Sequence, residues 1–293
     1  MVAQRRNGDG IEQLKMIAVE SSRIKFHLAG GLQPLILLPV TVNGQGPFQF
    51  ILDTGAGTSL LSPELAQKVG ANIIGAKEGQ SAGGKVSVSL AKVDSLAVGE
   101  TRRDDVDVGI VDLSQIAKTI GTKIDGDLGY NFLNRFQMTI DYSNCELRLD
   151  DPKRVEFFGR SAAAEIPLRL ANPAKPLILV DAYLNGQGPF QFAIDTGTST
   201  TAITPELGKK LGIAGSPVGP ATTGGAQVDV TIGSVQSFAL GGAKVDDMDV
   251  VVADFFSMLS SAVGAKLDGI VGYNFLRNYK VVIDYPGEVL RLF

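Results

Sequence analysis

The chain has 293 residues, 44% of them hydrophobic and 20% charged, with a formal net charge of −4, a globular balance with room for one large domain or two moderate ones. The slight acidity, without any basic block, argues against nucleic-acid binding, and no stretch approaches the roughly 20 apolar residues that span a bilayer. One cysteine, Cys145, and one histidine, His27, exclude an intrachain disulfide, a cysteine zinc cluster and any Ser-His-Asp or Cys-His triad in which His27 does not itself serve.

Residues 1–19 carry charges without an apolar core, so they read as a flexible tail and not as an export signal. The compartment is left open between the cytosol and export with the signal removed. His27 lies in the alternating stretch "RIKFHL" and reads as structural. Thirty-five glycines, no tryptophan and many short Val/Ile/Leu runs predict a β-rich chain. Asn43-Gly44 between apolar runs predicts a hairpin, and "QGPFQFIL" (45–52) a strand that runs into Asp53. Ser62, Pro63 and Gly70 cap, start and stop a short helix. "SAGGKV" (81–86) reads as a Gly-Gly hairpin, and "DDVDVGIVD" as a strand with one acidic, solvated face, since it lacks the spacing and glycine of a calcium loop. A helix is predicted near 113–120 behind Asp112, a helical turn at "NFL" (131–133), and closing strands around "IDY" and "LRL". Cys145 there is a passive small side chain, and Asp125 reads as a turn residue.

The same order then returns. "NGQGPFQFILDTG" at 43–55 recurs as "NGQGPFQFAIDTG" at 185–197, identical at eleven of thirteen positions and offset by 142 residues (195 − 53). "SPELAQKVG" (62–70) matches "TPELGKKLG" (204–212), "DGDLGYNFL" (125–133) matches "DGIVGYNFL" (268–276), and "RIKFHL" aligns with "EIPLRL" (165–170). The expected organisation is a tail (1–19), an N-terminal lobe (20–150), a joint (151–161) and a C-terminal lobe (162–293). Structural copies pack about an approximate two-fold axis, which sets Asp53 against Asp195. Two carboxyls brought close share one proton and titrate as a unit. The ionised member takes a proton from water while the protonated one polarises a carbonyl.

Asp-Thr-Gly behind an apolar pair, with an apolar–Gly element downstream, resembles the aspartic protease superfamily of pepsins and retropepsins. Two such turns in register with the rest of the repeat extend the resemblance over nearly both lobes. It implies an all-β, two-lobed acid-protease fold with a few short helices, in the form of a fused retropepsin-like bacterial enzyme. It implies an aspartic endopeptidase with Asp53 and Asp195 as the catalytic pair, no metal or organic cofactor, and a peptide or protein as substrate. Thr54 and Thr196 carry the reciprocal inter-lobe hydrogen bonds, Gly55 and Gly197 the close backbone approach, and Ala56 and Thr198 flank the pair. The Thr198 hydroxyl is placed to bond Asp195, which is expected to be the more often charged. Gly83 and Gly84 in one lobe and Gly224 and Gly225 in the other belong to two flaps, none of the six tyrosines lying in them. Asp127, where the second lobe has Ile270, either perturbs the pair or points to solvent.

The expected assembly is a monomer with an intramolecular pseudo-dimer, although lobes pairing between chains would also satisfy the pattern. Periplasmic or secreted location is implied by the resemblance alone. A non-catalytic peptide-binding module on the same fold, and a glycosidase using the same carboxylates, are the rival functions.

Overall fold

A computed structural model describes residues 23–31, 34–81, 84–151, 161–173, 175–213, 215–223 and 226–293. The expected tail (1–19), most of the joint (152–160), and Gly83, Gly224 and Gly225 lie outside the described residues.

The two halves fold into twin eight-stranded sheets. In spatial order the first runs His27–Ala29, Leu35–Val42, Gln45–Leu52, Gly126–Leu128, Leu60–Leu61, Thr101–Ile110, Gly84–Val98, Asn72–Ser81. The second runs Arg169–Asn172, Lys175–Leu184, Gln187–Ile194, Gly269–Val271, Ala202–Ile203, Ala243–Ala253, Ala226–Leu240, Ser216–Thr223, position for position the same. In each, the second strand also pairs with the seventh, curling the sheet on itself. The fold is the all-β, two-lobed one expected.

Local sequence explains the elements that aim at the seam. Asn43 (φ 50°) and Gly44 (φ 73°) both take positive φ, the two-residue turn that matches strand twist. The strand Gln45–Leu52 leaves the surface and ends buried on both faces. Phe50 and Leu52 enter the main core, while Ile51 packs with Leu37, Leu113 and Ile124. Behind it, Ser62 Oγ accepts the Leu65 N–H at 3.1 Å to start the helix Pro63–Lys68, and Gly70 at φ +64° ends it. Thr204 and Gly212 do the same for Pro205–Lys210. The helix predicted near 113–120 forms at Ser114–Ile120 with a counterpart at Phe256–Val263, and the helical turn forms at Tyr130–Leu133 with a counterpart at Tyr273–Leu276. Asp125 and Asp268 tie the chain to its neighbour: each accepts the backbone N–H of Gln49 or Gln191 at 3.0 Å and donates its own to the same residue's carbonyl at 2.8 Å.

The halves are joined by a third sheet, Arg23–Lys25, Glu146–Asp150, Gln137–Asp141, Lys280–Asp284, Val289–Leu292, Ala164–Pro167. Its two central strands come from different lobes and pair antiparallel from Gln137↔Asp284 to Asp141↔Lys280. One continuous core follows, with Phe50, Phe132 and Met138 in the same cluster as Phe192, Phe275 and Ile283. Burying each such aromatic removes it from water at roughly 2 kcal/mol. Among the described residues no helix is long and apolar enough to cross a membrane.

Candidate active site

The two Asp-Thr-Gly turns meet at this seam. Asp53 donates its backbone N–H to Leu128 O and Asp195 to Val271 O, both at 3.1 Å, so each aspartate prolongs the parallel pairing of its strand. Beneath them Thr54 and Thr196, 1% and 2% exposed, clasp hands. Each threonine N–H donates to the other's hydroxyl at 3.1 Å. The Thr54 hydroxyl donates to Ile194 O at 3.2 Å and the Thr196 hydroxyl to Leu52 O at 2.7 Å. Both N–H groups and both hydroxyls are thereby paired at a buried site, the condition under which a buried polar cluster stabilises.

The carboxyls rest on the turns. Asp53 Oδ1 accepts the N–H groups of Gly55 at 2.6 Å and Ala56 at 3.0 Å. Asp195 Oδ1 accepts the Gly197 N–H at 2.8 Å, and its Oδ2 the Thr198 hydroxyl at 2.8 Å. A Cβ built on Gly55 would stand 2.8 Å from Asp195 Cγ, and one on Gly197 2.8 Å from Asp53 Cγ. Only glycine lets each carboxyl lie against the opposite turn. The side chains of Asp53 and Asp195 come within hydrogen-bond reach of one another.

Electrostatics follow from that contact. Burial first, and then the neighbouring Asp53, push the Asp195 carboxyl up to about 8, against the hydrogen bonds from Thr198 and Gly197 that favour its charged form. The Thr198 hydroxyl bonds Asp195 as expected, but desolvation pulls that carboxyl the other way.

Asp127 is not in solvent. It is 7% exposed, pairs in register with Ile51 on one side and Leu60 on the other, and lies within hydrogen-bond reach of Asp53. Ala56 O accepts the Tyr130 N–H and Thr198 O the Tyr273 N–H, both at 2.8 Å. Ser59 Oγ donates to Asn131 Oδ1 at 2.8 Å and accepts Gly129 N–H at 3.0 Å, as Thr201 does with Asn274 and Gly272. These belts bind each Asp-Thr-Gly loop to the apolar–Gly element behind it. Two pairs of tyrosines cross the seam edge-to-face, Tyr130 with Tyr285 and Tyr142 with Tyr273, ring centroids 5.4 Å apart in each. Burial, then Tyr130 and both aspartates, hold the Tyr285 phenol well above its usual range, and its hydroxyl has no partner.

The flap segments are long hairpins, Asn72–Ser81 with Gly84–Val98 and Ser216–Thr223 with Ala226–Leu240. Gly84 pairs with Ser81 at the edge of the described tip. Each hairpin leans on the other lobe's helix: Asn72–Ser81 on Phe256–Val263, and Ser216–Thr223 on Ser114–Ile120.

The sequence profile of the aspartyl proteases matches residues 38–132 and again residues 180–275, once in each lobe. The chain belongs to the aspartyl protease family. No curated protein compared with it matches.

The family carries a protease-type, hydrolytic function and a peptide as its class of substrate. Within this aspartyl protease, sequence reasoning passed over the seam tyrosines and the Ser59/Asn131 and Thr201/Asn274 belts. Their signal was present, since "GYN" and "IDY" recur in both halves.

Proposed function

We propose that the chain is an aspartic endopeptidase in which Asp53 and Asp195 activate water against a peptide bond. The observation that carries this reading is geometric: two half-buried carboxyls, one from each repeat, each held by the turn of its own lobe and lying against the Asp-Thr-Gly turn of the other. Two backbone N–H groups bracket Asp53 Oδ1 and suit it to carry the pair's negative charge. Asp53 takes a proton from a water lodged between the carboxyls as the oxygen attacks the scissile carbonyl carbon. Asp195 gives its proton to the carbonyl oxygen, and a gem-diol forms without a covalent enzyme intermediate. On collapse the C–N bond breaks, Asp53 returns its proton to the leaving amine, and Asp195 recovers one from a diol hydroxyl. Peptide and water become acid and amine with both carboxyls restored.

The lobes at 20–150 and 162–293 supply one carboxyl each. An extended substrate adds as a strand beneath the two hairpins. The contact between the carboxyls speaks against glycoside hydrolysis, whose carboxyls stand roughly 5–9.5 Å apart.

The test is cleavage of an unfolded-protein or peptide library between pH 3 and 8 by the wild type, Asp53→Asn and Asp195→Asn. Either substitution abolishes cleavage on this reading. Full activity in either variant refutes the pair, and peptide binding without cleavage by the wild type replaces catalysis with binding.

A further inference from the structure

The repeat is least faithful at one place inside the site. Asp127 occupies the position of Ile270, in strands that otherwise superpose in register: Asp127 pairs with Ile51 and Leu60, and Ile270 with Ala193 and Ala202. An apolar slot has therefore received a carboxyl. Its Oδ1 is sealed from solvent with no hydrogen-bond partner, while the side chain reaches Asp53. An ionised carboxylate in that setting would stand against a second one with its own oxygen unsolvated, the costliest arrangement available to it.

We propose that Asp127 is a positioning residue for the pair, a neutral carboxyl that donates a hydrogen bond to Asp53 and makes a row of three carboxyls, Asp127–Asp53–Asp195, around one negative charge. The inference rests on the reading of Asp53 and Asp195 as the catalytic pair. The titratable groups that face Asp127 are Asp53, at the end of the strand Gln45–Leu52, and Asp195, from the other lobe. Its partners in the flanking strands, Ile51 and Leu60, are apolar. Burial first, and then Asp53, hold its carboxyl well above the usual range. The consequence is directional. A second carboxyl, Asp195, already leans on Asp53 from one side; Asp127 supplies the donor on the other and fixes Asp53 as the member that carries the charge.

Two variants separate this role from its rivals. Asp127→Asn keeps size and a donor, and Asp127→Ile installs the residue of the other lobe. Two quantities are followed: the acid limb of kcat/KM on a cleaved peptide, and the pH dependence of stability by urea unfolding. The expected result is an acid limb displaced upward by about one pH unit in Asp127→Ile, the loss of one charge-assisted hydrogen bond to the anion, and returned to the wild-type position in Asp127→Asn. A downward displacement in Asp127→Ile would mean that Asp127 is a third negative charge, and coincident profiles that it does not touch the pair; either overturns the proposal. So does an equal displacement in both variants, the mark of altered packing alone. In the stability measurement both variants lose pH dependence above about pH 4, where the unfolded carboxyl ionises and the buried one does not, and an unchanged slope overturns the neutral carboxyl. That measurement needs no activity. A wild type that cleaves nothing refutes the catalytic reading while the stability slopes still decide whether Asp127 holds a proton.

Discussion

Replacing Asp195 by asparagine removes one titrating proton from the centre of the molecule while keeping nearly the same volume and a hydrogen-bonding end. In the folded chain this carboxyl is held from its ordinary value of 3.8 up to about 8, chiefly by burial and then by Asp53. The unfolded chain releases the same proton near pH 4. Stability from this group is therefore full below about pH 4 and declines as the pH rises towards 8, because over that interval the unfolded state ionises and the folded state does not. Each pH unit is worth about 1.4 kcal/mol per proton, so four units amount to on the order of 5 kcal/mol, an upper bound because the two aspartates titrate as a unit. Urea unfolding at half-unit steps from pH 4 to 8 measures the slope. The wild type loses stability across this interval, and Asp195→Asn lowers the slope by about one proton. Parallel slopes would refute the reasoning outright, for they would mean that Asp195 enters the folded state already ionised.

Thr196→Val strips the hydroxyl that Thr54 N–H and Leu52 O both use. Two buried partners left unmatched at roughly 1–3 kcal/mol each lower the unfolding free energy by about 2–6 kcal/mol, read from the urea midpoint. Gly197→Ala places a methyl 2.8 Å from Asp53 Cγ, and a displacement on the order of 1 Å costs about 100-fold in turnover while near-UV circular dichroism stays native-like. Tyr285→Phe deletes a buried hydroxyl that has no partner, so thermal melting is expected to rise or hold, by up to about 1 kcal/mol. A clear loss would show that the hydroxyl is bonded in solution.

The repeat made most of the lobe legible. Asn43-Gly44, Ser62-Pro63 and the strand 45–52 are local signals, each decided within a few residues, and the structure places them as read. The Asp-Thr-Gly turns were legible for a different reason: a carboxylate behind three buried apolar residues is expensive alone, and its twin 142 positions on supplied the partner. What resisted was whatever depends on how two copies touch. The seam sheet pairs Gln137–Asp141 with Lys280–Asp284 across a long sequence separation, and nothing in "QMTID" or "KVVID" names the other. The upward pull on Asp195 was not legible, because a hydroxyl is visible in sequence and desolvation is not. Asp127 fell between these cases: its departure from Ile270 was evident, but whether it faced water or Asp53 depended on the strand register.

The seam sheet has a kinetic meaning as well. A site built from one carboxyl per lobe would, in two separate chains, come apart on dilution, its activity falling with the square of protein concentration. Here the strands that bring the lobes together belong to one polypeptide, so assembly is a first-order event with an effective concentration fixed by the chain itself. The two halves can drift apart in sequence, as Asp127 and Ile270 or Ala56 and Thr198 have done, without either losing its mate. Fusion is what permits the two sides of the site to become different.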